Sequence, residues 1–216
     1  MTAPAPAPDP ADKLAITNAL ADSARRGNVA DLERLFERLK TTVFAWICMR
    51  TGNARRGATD PNDLLQEVWL RTLRAFPTFD PARGSFRSWV FGIAAHVLLE
   101  EYRRTSRVVA LDAPADSSSA GVTCEPPSPS MTSVGARLAR AEAVDRFLAY
   151  ADSLSPEDRK LLLYHGLEEM TLADVAERLQ ITVAAAEKRW QRLKSKLQAS
   201  GVARDLDLGD CSRSSS

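Results

Sequence analysis

Apolar residues along this chain recur at three- and four-residue spacing, and nowhere does an alternating pattern persist long enough for a strand, so the sequence reads as all-α. Start and stop signals divide the pattern into helices. Leu14 to Arg26 ends at Gly27-Asn28, and Asp31 to Arg50 ends near Gly52-Asn53. Asp60-Pro61-Asn62-Asp63 opens a third helix, with proline in the first turn and carboxylates facing the positive end of the dipole; it runs to Phe76 and stops at Pro77. After the turn Phe79-Asp80-Pro81-Ala82-Arg83-Gly84, a fourth runs from Ser85 to Arg104. Ser155-Pro156-Glu157-Asp158 opens another that lasts to about His165-Gly166, Thr171 opens Leu172–Leu179, and Thr182 caps a longer helix to Gln198. The last two, joined by the short turn around Gln180-Ile181-Thr182, form a helix-turn-helix.

Proline and serine mark the divisions. Four of the 12 prolines lie in the first ten residues, and Pro114, Pro126, Pro127 and Pro129 lie in a stretch that also holds Ser117, Ser118, Ser119, Ser128 and Ser130. Such composition cannot bury enough apolar area to offset its ordering entropy. The expected organisation is therefore a disordered tail (1–11), a helical domain (12–108), a flexible linker (109–135), a second helical domain (136–199) and a disordered tail (200–216).

Charge changes the picture only when it is read locally. The 216 residues carry 29 Lys plus Arg against 28 Asp plus Glu, a net charge of +1, so the total shows no footprint of nucleic-acid binding. Between Lys188 and Gln198, however, five residues are basic and none acidic, whereas Leu154 to Glu187 holds three basic and seven acidic ones. From Arg83 to Ala110 five are basic and two acidic. Cys48, Cys124 and Cys211 are odd in number and far apart, which supports neither a disulfide framework nor a zinc site. The Ala-Pro start has no signal-peptide pattern, and the longest apolar stretch, Trp89 to Leu99, is about half a membrane span, so a cytoplasmic protein without membrane insertion is expected. No phosphate-binding glycine loop, HExxH or nucleophile–base pair occurs, so no enzyme, cofactor, metal or small-molecule substrate is expected.

Three groups of residues carry candidate function. In the last helix Val183, Ala186, Trp190, Leu193 and Leu197 share a face predicted to pack inward, which leaves Ala184, Ala185, Glu187, Lys188, Gln191, Arg192 and Ser195 outward. A cationic face there suits a major groove; the plainer alternative is a solvated helix whose basic residues complement its C-terminal dipole. In the fourth helix Phe86, Trp89, Phe91, His96, Tyr102, Arg103 and Arg104 mix rings with cations, which suits unpaired bases, although for Trp89 and at least one of the phenylalanines a core position is the better reading. In the third helix Asp60, Asp63 and Glu67 share a side beside Leu64, opposite an inward face of Leu65, Val68, Trp69, Leu73 and Phe76. That side is either a docking surface for a basic partner or simply solvated.

Together these segments resemble a known family. Asp60-Pro61-Asn62-Asp63-Leu64-Leu65-Gln66-Glu67-Val68-Trp69-Leu70, followed by Phe79-Asp80-Pro81-Ala82-Arg83-Gly84-Ser85-Phe86-Arg87-Ser88-Trp89, resembles region two of bacterial sigma factors, above all the extracytoplasmic-function (ECF) group. Leu154-Ser155-Pro156-Glu157-Asp158-Arg159 through Leu172–Leu179 to Lys196 resembles region four. The resemblance implies an alternative sigma factor whose partners are the RNA polymerase core (the β′ clamp helices and the β subunit), promoter DNA and an anti-sigma factor. It assigns core binding to Asp60, Asp63, Leu64, Gln66 and Glu67, and contact with the −10 strand to Phe79, Arg83, Ser85, Arg87, His96, Arg103 and Arg104. Reading of the −35 duplex falls to Thr182, Ala185, Glu187, Lys188, Arg189, Gln191, Arg192 and Lys196. The chain departs from the family pattern at His96, Glu100, Gln180 and Glu187. Two other functions share these residues: a helix-turn-helix regulator that works without polymerase, and a degenerate sigma that serves only as a protein-interaction module.

Overall fold

A computed structural model describes residues 10–51, 60–110 and 134–202. Among them the regular elements are all helical: α1 (Pro10–Arg25), α2 (Val29–Thr51), α3 (Pro61–Ala75) with a 3-10 turn at Phe76–Thr78, α4 (Phe86–Ala110), α5 (Val134–Asp152), α6 (Pro156–Leu161) continuing as a π-helix (Leu162–Leu167), α7 (Leu172–Leu179) and α8 (Val183–Ser200). Residues 1–9 of the expected tail 1–11, 203–216 of the expected tail 200–216, 111–133 of the expected linker 109–135 and the expected helix stop at Gly52-Asn53 lie outside the described residues, as do Cys124 and Cys211. α4 extends six residues past the predicted Arg104, and the second domain begins with α5, for which no start signal was read.

Side-chain caps set the starts. Asp31 N–H donates to Asn28 Oδ1 (3.4 Å) while Asn28 Nδ2 donates to Asp31 Oδ2 (2.7 Å), a reciprocal box at the start of α2. Asp60 accepts from Asn62 N–H (2.8 Å), Ser155 from Asp158 N–H (3.2 Å), Thr171 from Asp174 N–H (3.1 Å) and Thr182 from Ala185 N–H (3.2 Å). The last four sit where the sequence signals put them, whereas Asn28, read as part of the stop of the first helix, also caps the second, which starts at Val29 and not at Asp31. α7 ends on Gln180, which takes the left-handed φ of 54°, a conformation a side chain adopts at a cost of roughly 1–2 kcal/mol.

Between Thr42 and Met49 every residue except Phe44 is buried, so the second half of α2 is covered on nearly all sides. It packs against α1, α3 and α4 of the first domain and also against α5 and the π-helix of the second. A single buried cluster therefore runs from Leu35, Trp46 and Phe91 through to Phe147, Leu161 and Leu167. Trp46 meets Phe91 edge-on at 5.6 Å. Inside the second domain the π-helix presents the bare Gly166 to Trp190: a Cβ there would stand 3.2 Å from the indole and 3.1 Å from Leu162. No described helix is long and apolar enough to cross a membrane.

Candidate nucleic-acid interface

α8 presents the clearest outward face. Ala186, Trp190, Leu193 and Leu197 are buried as their spacing requires, and Glu187, Lys188, Gln191, Arg192, Ser195 and Lys196 are exposed, with Ala185 and Arg189 half-buried. Val183 departs from the prediction: it is 42% exposed. As the first helical residue its Cβ tilts off the N-terminal end of the helix, past the last neighbour that could cover it. Thr182, expected at the DNA, is exposed, but its hydroxyl already accepts the Ala185 N–H.

α4 and the turn before it separate the −10 candidates into two sets. Arg83, His96, Arg103 and Arg104 are exposed. Phe79 is not: it is 2% exposed, stacked within a cluster of Phe76, Phe86 and Trp89 at centroid distances of 5.2–6.5 Å, so the expectation that it meets a base is corrected to a core role. The 3-10 turn at Phe76–Thr78 folds the ring back under α4. Arg87, also expected on the strand, is 6% exposed and turned onto the second domain, where its Nε and Nη2 donate to the carbonyls of Leu167 (3.2 Å) and Gly166 (3.4 Å). These carbonyls close the π-helix and lack a helical partner, which is the physical reason a guanidinium seats there. Ser85 donates to Glu169 at 2.7 Å.

The sequence reading passed over Leu99, which is 45% exposed, and left Tyr102, 50% exposed, off the strand-contact set. Leu99 stands three residues from His96 and four from Arg103, a spacing that puts them on one stripe. Arg104 is held by Glu101 (2.7 Å), which raises its pKa.

The acidic side of α3 is likewise divided. Asp63 and Gln66 are exposed, Asp60 is spent on the cap, and Glu67 binds Arg71 Nε at 2.6 Å. The other end of Arg71 reaches Glu100 on α4 at 2.7 Å, so one guanidinium links the two helices. Its hydrogen bond to Glu100 raises the pKa of Arg71 and lowers that of Glu100. Leu64, expected as an apolar docking contact, is 5% exposed: Leu64, Leu65, Val68 and Thr72 are all buried, so the apolar stripe is wider than the predicted one. It forms part of the lining of a groove of about 290 Å³ between α3 and α4, with Asp63, Glu67, Arg71, Val97, Glu100, Glu101 and Arg104. Among the described residues no three His, Cys, Asp or Glu side chains gather as a metal site.

Comparison with known proteins agrees in both halves. Sigma-70 region 2 matches residues 35–108 and sigma-70 region 4 matches residues 145–197. The ECF RNA polymerase sigma factor SigC of Mycobacterium tuberculosis is 30% identical over 197 residues, covering 90% of this chain and 96% of that one. SigD of the same species is 26% identical over 194 residues, covering 85% of each. The solved structure of CnrH in complex with the cytosolic domain of CnrY is similar at 22% identity and a TM-score of 0.40, over 85% of this chain and 96% of that one.

Proposed function

The chain belongs to the ECF group of the sigma-70 family, an alternative sigma factor for transcription initiation that works with the RNA polymerase core on promoter DNA, and from that premise we propose how its surfaces divide the task. The exposed side of α3, with Asp63, Gln66 and Glu67, docks on the β′ clamp helices; further contacts go to the β subunit. The outward stripe of α4, with His96, Leu99, Tyr102 and Arg103, receives the unpaired −10 strand, where rings and apolar side chains stack on bases and cations hold phosphates. The outward face of α8 enters the major groove of the −35 element, where Arg192 and Lys188 favour guanine edges, Gln191 favours adenine, and Glu187 accepts from a cytosine amino group.

The observation that carries this reading is α8 itself, whose buried stripe (Ala186, Trp190, Leu193, Leu197) leaves Glu187, Lys188, Gln191, Arg192 and Lys196 in solvent on an element capped by Thr182. Opening the promoter requires no bond chemistry, because binding of unstacked bases offsets a few kcal/mol of unpairing per base. An anti-sigma factor that covers these surfaces completes the proposal.

Run-off transcription with purified core polymerase, on templates selected from a randomised promoter library, tests it. The wild-type chain is expected to give promoter-dependent transcripts. Asp63→Lys with Glu67→Lys is expected to weaken core binding at least tenfold, about 1.4 kcal/mol, with helicity unchanged. No transcript from any selected template overturns the sigma reading, and unchanged core affinity removes the α3 face from it.

A further inference from the structure

Of the five glycines whose surroundings are described, four have a reason within the chain. Gly27, Gly84 and Gly201 take a positive φ, and the missing Cβ of Gly166 leaves room for Trp190 and Leu162. Gly92 has neither reason. It lies inside α4, where glycine is less stable than alanine because it has more backbone freedom to lose on folding. A Cβ built on it would meet nothing within 4 Å, and the position is exposed. Alanine would therefore fit the fold and stabilise it, so no neighbour inside the chain requires the bare backbone.

Gly92 is in line with the outward stripe of α4. His96 follows it by four residues, Leu99 by seven and Arg103 by eleven, and all are exposed. At 3.6 residues per turn these spacings return to within about 40° of the same side. The peptide groups here are engaged in the helix, so the glycine offers neither a charge nor a free donor; it offers a shallow floor to which another backbone can come close. The deoxyribose of a DNA strand presents carbon atoms to such a floor, with phosphates on either side for a cation to hold.

We propose that Gly92 sets how closely the unpaired −10 strand approaches α4: a deoxyribose of that strand rests on the bare backbone, and His96, Leu99 and Arg103 reach the strand because it lies flush. This role rests on the sigma reading for the identity of the strand. A side chain at position 92 would lift the strand off the stripe, and a gap of about 0.5–1 Å already forfeits a quarter to a half of each dispersion contact.

The test uses Gly92→Ala and Gly92→Leu in the full chain, alone and assembled with core polymerase. Alanine and leucine are both strong helix formers, so the variants stiffen α4 to a similar extent and differ in bulk. Both are expected to melt about 2–4 °C above the wild type and to bind core within twofold of it. Affinity of the holoenzyme for the labelled non-template −10 strand of a promoter selected with the wild type is expected to fall at least threefold for alanine and at least tenfold further for leucine. Transcription from that promoter is expected to fall in the same order. Equal losses in the two variants overturn the role of Gly92, because helix stiffness then accounts for them, and so does unchanged strand affinity. A loss of core affinity overturns it too, because the surface then belongs to the polymerase, as does a lower melting temperature, because the fold itself then needs the glycine. The absence of any promoter-dependent transcript from the wild type refutes the sigma reading and this role with it, whereas equal transcription by the wild type and both variants refutes the role alone.

Discussion

Phe79 shows how much a single residue's role depends on its surroundings. In the turn before α4 its position resembles that of a base-contacting loop, yet the ring is 2% exposed and meets Phe86 edge-on at 5.3 Å. Truncation to Ala is expected to cost about 3–5 kcal/mol of stability, the range for removing a buried aromatic ring. Urea unfolding measures it directly; a loss under 1 kcal/mol together with defective promoter opening would return Phe79 to the DNA. Val183 illustrates the opposite case, since an apolar residue on the inward repeat is left 42% exposed at the tip of α8. Gln180 stands where a glycine is usual and takes the left-handed turn regardless.

Among the elements, α3 and α4 are joined by burial and by one charged link. Arg71 bridges Glu67 on its own helix and Glu100 across the groove. Because the guanidinium lowers the pKa of Glu100, the carboxylate is charged in the fold at pH values where the unfolded chain has begun to protonate it. The link therefore contributes above the ordinary carboxylate range and is lost as pH falls through the lowered value. Glu100→Gln is expected to be slightly less stable than the wild type at pH 7, and the difference should shrink as the pH drops past about 4. Thermal melts of both proteins across that range check this. A difference that persists or grows in acid would show that the link is not ionic. The helix starts at Asp60, Ser155, Thr171 and Thr182 were legible beforehand because a cap is a local contact over two or three residues.

For the whole molecule the governing fact is that α2 is buried from both domains. Trp46, 1% exposed, packs on Phe91 within the first domain and donates to Glu168 of the second. The two domains are therefore expected to unfold together in the free chain, and Trp46→Ala should lower both by about 3–5 kcal/mol in one transition. Two transitions, with only the first displaced, would show instead that the domains are independent. Helix content, the caps, the outward face of α8 and the family itself could be read from the residue order, because periodicity, capping and motif spacing act within a few turns of chain. Leu64, Phe79, Arg87 and the pair Glu168-Glu169 could not. Periodicity tells which side of a helix is apolar, but it carries no record of what covers that side. Phe79 is covered by rings within ten positions of it, but only in the folded turn, whereas the partners of the charged residues lie 80 positions away for Arg87 and Leu167, 84 for Ser85 and Glu169 and 122 for Trp46 and Glu168. Such contacts exist only once the helices have packed, when burial of the apolar side of α2 brings the carboxylates of one domain onto the cations of the other.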